Sequence, residues 1–333
     1  MKALASLATG GPETLVLTDL PDPIAGPGQV VIAVKSCAIN YPDVLIIEDK
    51  YQFKPERPFA PGSEVSGIVV SVGEGVTGFA PGDRVISMTL YGGLAEQVAV
   101  AADRTYLLPE GISWEVGAAV PMTYGTAIHA LADRGRIAAG DTVLVLGAAG
   151  GIGLAMVEVA HALGARVVAA VSDEEKASVA RAAGAADVVI YARGPFDKPQ
   201  SKALAEAFKA ACGPDGAQIV VDPVGGEYSE PALRAIGWEG RFLVVGFPAG
   251  VAKIPLNLPL LKSCDICGVF LGGWLERAPA QFAGRIAEVL ELLRTGKLNP
   301  HIADIVPLAR GGEAIALLAN RKAIGKIVVR VGD

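Results

Sequence analysis

Histidine and cysteine are scarce in this 333-residue chain, with three of the first and four of the second. Cys37, Cys212, Cys264 and Cys267 are too few for a disulfide framework in so long a chain. Only "CDIC" has a spacing suited to half a zinc site or a redox pair. No second pair accompanies it, and it opens the apolar run "CDICGVFLGG", which reads as a strand, so two small buried side chains are expected there. His129, His161 and His301 stand far apart with no compact ligand set, two of them in helical stretches, and are expected to be partly exposed. Charge is low as well, at 19% charged residues and a net −6 with no basic cluster, which argues against nucleic acid or an anionic membrane as the main partner. No apolar run approaches the ~20 residues of a membrane span. The stretch "MKALASLATGGPETL" lacks the basic region and long apolar core of a secretory signal. The expectation is a cytoplasmic protein whose ligands are small molecules.

What is present is apolar substance: 51% hydrophobic residues, enough to bury large cores, over a length that suggests two domains. Residues 1 to 115 are rich in Gly, Pro and short β runs such as "QVVIAVKSCAI", "SGIVVSVG" and "LAEQVAV", an all-β texture. From residue 120 strands alternate with Ala-rich helical segments ("TVLVLG", "ARVVAAV", "DVVIYA", "QIVVDPV", "RFLVVGF", "DICGVFLG"), which implies a parallel sheet covered by helices on both faces. The C-terminal "IADIVPL", "GEAIALLANRKA" and "GKIVVRV" return to a mixed texture.

The chemistry starts at "VLVLGAAGGIGLA". Gly147, Gly150 and Gly153 fall at every third position between a strand at Val143–Leu146 and a helix beginning near Gly151. Residues without a Cβ allow a sharp turn, the approach of a pyrophosphate to backbone N–H groups, and close packing of helix on strand. The wording departs by one residue from G-x-G-x-x-G, but strand, helix and second strand "ARVVAAV" all stand in the order a dinucleotide-binding unit needs. At the end of that second strand, where NAD-preferring sites carry an acid, stand Val171 and then Ser172. Ser172 can donate to phosphate oxygens and Lys176 can supply positive charge, which points to NADPH. Asp173, Glu174 and Glu175 are expected to cap the following helix, which begins near Asp173. "VDPVGG" and "VVGFPAG" are strand ends that would face the same crevice, bringing Pro223, Gly225, Gly246 and Phe247 to it.

"NYPD", "PFAPGSEVSGIVVSVGEGVTGFAPGDRV", "MTYGTAIHAL", "VLVLGAAGGIGLA", "VVDPVGG", "VVGFPAG" and "AIGKIVV" follow one another in the order of a known family. Over essentially its whole length the chain resembles the zinc-free NADPH:quinone oxidoreductase (zeta-crystallin-like) branch of the medium-chain dehydrogenase/reductase superfamily. The resemblance implies an α/β protein of two lobes. A GroES-like β-rich catalytic domain would comprise residues 1–120 and 268–333, and a Rossmann NADP-binding domain with a doubly wound parallel sheet residues 121–267. The cofactor would lie in the cleft, and a homodimer or dimer of dimers would form through the last Rossmann strand, "DICGVFLG". The zinc enzymes of the superfamily carry Cys and His where this sequence has Asn40 and Ser63, and their four-cysteine structural cluster is missing, so no metal is expected in catalysis.

The resemblance further implies Asn40 and Tyr51 as hydrogen-bond donors to a substrate oxygen in the cleft, the phenol as a possible proton donor, and Glu64 as an acid near the site. Tyr124 and Thr126 sit where the chain crosses into the Rossmann lobe near the nicotinamide. With Gly150, Gly151, Ile152, Ser172, Lys176, Tyr191, Pro223, Gly246, Phe247 and Phe270 they make up the expected cofactor set. Leu45 replaces a tyrosine found in some members, which makes that side of the pocket more apolar. The implied activity is hydride transfer from NADPH to quinones or α,β-unsaturated carbonyls. Two alternatives stay open: an enoyl-thioester or substituted-acrylate reductase, for which Lys50, Lys54 and Arg57 would meet coenzyme A phosphates, and a cofactor-binding protein with a structural or regulatory role.

Overall fold

The computed structural model describes residues 1–332. The chain divides into two compact units at Gly125/Thr126 and Trp274/Leu275, with Gly296–Asn299 returning briefly to the second unit.

The first unit opens with an antiparallel pair, β1 (Lys2–Ala5) and β2 (Val16–Asp19). It continues with β3 (Gln29–Ala38), β4 (Glu64–Val72), β5 (Arg84–Met88), β6 (Gln97–Ala101) and β7 (Thr105–Leu107). The second unit supplies β8 (Thr142–Leu146), β9 (Arg166–Val171), β10 (Asp187–Ile190), β11 (Ala217–Asp222), β12 (Ile236–Val244) and β13 (Asp265–Gly268). The chain then returns to the first unit for β14 (Ile302–Pro307) and β15 (Lys326–Arg330).

In the first unit the sheet runs β14-β15-β3-β4-β5-β7, with β6 also paired to β3. Val30, Ile32, Val34, Val65, Val85, Ile327 and Val329 turn β-branched side chains into one core. Its register decides what meets at the strand ends. Ala38 lies opposite Glu64 on one side and Val328 on the other. Because β15 runs antiparallel to β3, Lys326, two residues before Val328, is brought alongside Asn40, two residues after Ala38.

In the second unit six parallel strands stand in the order β10-β9-β8-β11-β12-β13. Val143–Leu146, Val167–Ala170 and Ile219–Val221 have no exposed surface, the signature of a sheet covered on both faces. The order reverses between β8 and β11, which in open parallel sheets marks the ligand crevice at the carboxyl ends. The run "CDICGVFLGG" is a strand only over β13. Its one neighbour among the described residues, β12, ends at Val244, which pairs with Gly268; Val269 N–H gives one last bond to Val244 O at 2.9 Å, and Leu271–Arg277 is helical. Cys264 is buried as expected, whereas Cys267 is half-buried. His129 also departs from the expectation of partial exposure: it is buried, its Nδ1 2.9 Å from Asp133 Oδ2 and its ring stacked 3.9 Å from Trp274. Among the described residues no helix is long and apolar enough to cross a membrane.

The glycine turn after β8 divides its labour. Gly147 has φ +57°, a conformation L side chains adopt rarely, and a Cβ at Gly153 would collide with the carbonyl oxygen of Gly147 and with Ala148 Cα, both backbone. Gly153→Ala is therefore expected to cost about 1–3 kcal/mol, by forcing the helix at Gly151–Ala162 off the strand. Thermal denaturation followed by circular dichroism measures it.

Candidate active site

Within the second unit, the expected cofactor residues beyond the crossing point all follow carboxyl ends of strands. Gly150, Gly151 and Ile152 come after β8, Ser172 and Lys176 after β9, Tyr191 after β10, Pro223 after β11, Gly246 and Phe247 after β12, and Phe270 after β13. The helix Gly151–Ala162 starts from Gly150 in extended conformation, so the amides of Gly151, Ile152 and Gly153 open it with no carbonyl partner one turn back. A Cβ at Gly150 would meet nothing closer than Gly147 O at 3.6 Å. No neighbour crowds Gly150, and the N–H groups and dipole of the helix start favour an anion.

At the end of β9, Lys176 Nζ donates to Ser172 Oγ at 2.8 Å. Asp173 caps the helix Glu174–Ala182, accepting from Lys176 N–H at 3.0 Å, and its other oxygen takes the Ser172 hydroxyl at 2.8 Å and lies 3.2 Å from Lys176 Nζ. Those bonds hold Asp173 below the ordinary carboxylate range. Serine and lysine thus stand together on one turn, with a single capping acid beside them.

Tyr191 packs on Tyr228 with ring centroids 5.3 Å apart, and a hydrogen bond with the Gly147 backbone ties it to the glycine turn; burial raises its phenol pKa. Gly147 also borders Val224, and Gly225 lies under Phe247, so the loops after β8, β10, β11 and β12 converge. One residue that fastens the loop after β11 carries no signal in the sequence. Buried Asp222, at the end of β11, accepts from Val224 N–H at 2.9 Å, Gly225 N–H at 2.7 Å and the Ser229 hydroxyl. Phe247 and Phe270 leave 60% of their surface exposed.

In the first unit, Tyr124 is buried within the helical segment Val120–Tyr124, and Thr126 follows, also buried, at the start of the second. Asn40 caps the helix Tyr41–Ile47 in a capping box with Asp43. Its side chain is fully engaged: Nδ2 donates to Glu64 Oε1 at 2.8 Å and to Ala38 O at 3.3 Å, while Oδ1 accepts from Lys326 Nζ at 2.8 Å. In this arrangement the amide has no hydrogen left to give to a substrate oxygen. Both of its hydrogens are used inside the protein, and the lysine ammonium fixes which end is the oxygen. Tyr51 differs, being half-buried against the β core with a hydroxyl that makes no hydrogen bond among the described residues. Burial, and then Asp43 nearby, raise its pKa, so it keeps its proton.

The three basic residues near Tyr51 are mostly spent. Lys50 pairs with Glu48 at 2.7 Å, and Arg57 binds Asp49 at 3.0 Å together with Ile47 O and Ser6 Oγ. Asp43, wholly buried, takes the N–H groups of Asn40 at 2.7 Å and Gly62 at 3.0 Å. Burial nonetheless pushes its pKa up to about 7, against those donors and Lys326. The folded protein then holds a proton that the unfolded chain has already released, so stability falls as pH rises from the ordinary carboxylate range to about 7 and levels off above it. Asp43→Asn is expected to flatten that slope in urea denaturation across the same window.

Residues 26–110 match the alcohol dehydrogenase GroES-like domain and residues 151–291 the zinc-binding dehydrogenase family. Quinone oxidoreductase-like protein 2 of Bos taurus is 36% identical over 95% of this chain and 88% of its own length. A mycobacterial protein solved with NADPH superposes with a TM-score of 0.90 at 30% identity, over 99% of this chain and all of its own. Escherichia coli quinone oxidoreductase, also solved with NADPH, gives 0.89 at 26%, again over 99% of this chain and all of its own. From the two matched domains, the reversed parallel sheet and near full-length relatives, the chain belongs to the quinone oxidoreductase branch of the medium-chain dehydrogenase/reductase superfamily.

Proposed function

We propose that this protein is an NADPH-dependent reductase of quinones or α,β-unsaturated carbonyls that works without a metal. The observation that carries the reading is the second unit's phosphate-ready apparatus: an open helix start at Gly150–Gly153, and Ser172 with Lys176 at a strand end that lacks the acid NAD-preferring sites use. The residues present fit that cofactor. The Gly151 and Ile152 amides would hold the pyrophosphate, Ser172 and Lys176 the 2′-phosphate, and the Gly246–Phe247 and Phe270 loops the rest of the dinucleotide. When bound, NADPH supplies a hydride.

The first unit contributes the proton. Tyr51 retains its phenolic hydrogen, and donating it to the carbonyl oxygen balances the charge that develops there as the carbon is reduced. Metal-free chemistry agrees with Asn40 and Ser63 at the positions of zinc ligands, and with a lysine ammonium bonded to Asn40 Oδ1. The enoyl-thioester alternative is weaker, because Lys50 and Arg57 are already paired with carboxylates. Binding without catalysis would show as retained NADPH affinity with no turnover. A homodimer through β13 is supported by the exposure of Ile266 on that free edge and of Leu260 and Leu261 beside it.

Two measurements test the reading. Lys176→Ala is expected to weaken NADPH binding by about 10- to 100-fold, the worth of one charge-assisted bond, and to leave NADH binding unchanged, as read by nicotinamide fluorescence titration. Equal binding of both nucleotides by the unaltered protein would overturn the 2′-phosphate assignment. Tyr51→Phe is expected to lower kcat with 9,10-phenanthrenequinone by about 10²-fold while NADPH affinity holds. An unchanged kcat would remove Tyr51 from the chemistry.

A further inference from the structure

Lys326 is a lysine shut away from water, with 5% of its side chain exposed. Its ammonium spends all three hydrogens on oxygens: Ile39 O at 3.1 Å, Asn40 Oδ1 at 2.8 Å and Glu64 Oε1 at 2.7 Å. Glu64, with no exposed surface, also takes Asn40 Nδ2 on Oε1 and gives its other oxygen to the backbone N–H of Met122 at 2.8 Å. Four stretches of chain therefore meet at one carboxylate: the end of β3, the start of β4, the start of β15, and the segment Val120–Tyr124.

Stability is a poor reason for such a pair. Desolvating both charges offsets their attraction, and an apolar pair of the same volume serves a core as well or better. An apolar pair cannot do two things this one does. It cannot hold an amide in one of its two orientations, and it cannot fix a backbone N–H two residues ahead of Tyr124, a cofactor-site candidate.

We propose that Lys326 is a positioning residue for the reductase reaction. Acting through Glu64, it locks the Asn40 amide and the backbone at Met122 in the arrangement that turnover requires. The kinetic part of this proposal rests on the reductase reading above; the structural part does not.

The test is the double variant Lys326→Met with Glu64→Gln, which removes both charges at nearly constant volume and leaves neither buried alone. The expected result is a Tm close to that of the unaltered protein and NADPH affinity within about twofold, with kcat on 9,10-phenanthrenequinone lowered at least about tenfold. Hydrogen exchange in the peptide spanning Met122 is expected to quicken by at least about tenfold. A variant that keeps both its kcat and its slow exchange would overturn the proposal, leaving the pair as core filling. If the unaltered protein itself turns over no quinone or enone, the reductase reading fails, and exchange at Met122 alone decides this one. If the double variant does not fold, Lys326→Ala is examined with and without ethylammonium. Return of slow exchange with the added cation supports positioning, and no return of fold or exchange overturns it.

Discussion

A parallel sheet covered on both faces meets solvent only at the ends of its strands. The second unit is organised by that constraint. Its central strands β8, β9 and β11 are buried, so the candidate ligand-binding groups lie in the loops beyond the carboxyl ends of the strands, about the reversal of strand order between β8 and β11. Asp222 then fastens the loop after β11 to the helix that follows it. It is a buried acceptor whose two oxygens collect two amides and a hydroxyl, which satisfies the polar groups of the turn at Pro223–Gly225.

The first unit solves a different problem, holding charge inside a mostly antiparallel sheet. Register is the device. With Ala38 opposite both Glu64 and Val328, a carboxylate, an amide and an ammonium are delivered to one point from positions up to 286 residues apart in sequence. Asp43, a few residues further on, is held by two backbone amides and sits near the balance between its charged and neutral forms.

Much of the second unit was legible in the sequence, because period and position carry it. Three glycines at every third residue, a strand before and a helix after are local facts, and so is an uncharged strand end followed by serine and lysine. The polar centre of the first unit was legible only in pieces. Lys326 in "GKIVVRV" has the look of an ordinary lysine opening an edge strand, and nothing nearby announces that antiparallel pairing will carry it into the core. The capacity of the Asn40 amide to donate is visible in sequence, whereas its bonds to Glu64, Ala38 and Lys326 are not. The overlong strand at "CDICGVFLGG" failed for a related reason: an apolar run shows that residues avoid water, but the length of the neighbouring strand sets where the ladder stops. His129 was misjudged because its stacking partner, Trp274, lies 145 positions away in sequence.

The glycine turn separates two kinds of necessity. Gly147 and Gly153 answer to the backbone itself, one through its φ and the other through the strand beneath it, whereas Gly150 answers only to whatever occupies the space before the helix. On the proposed cofactor reading, folding and ligand affinity are therefore written at different letters of the same short motif. On that reading a change at Gly150 removes the second and leaves the first intact, turning catalyst into stable cofactor-free scaffold in one step, with no unfolded intermediate for selection to remove.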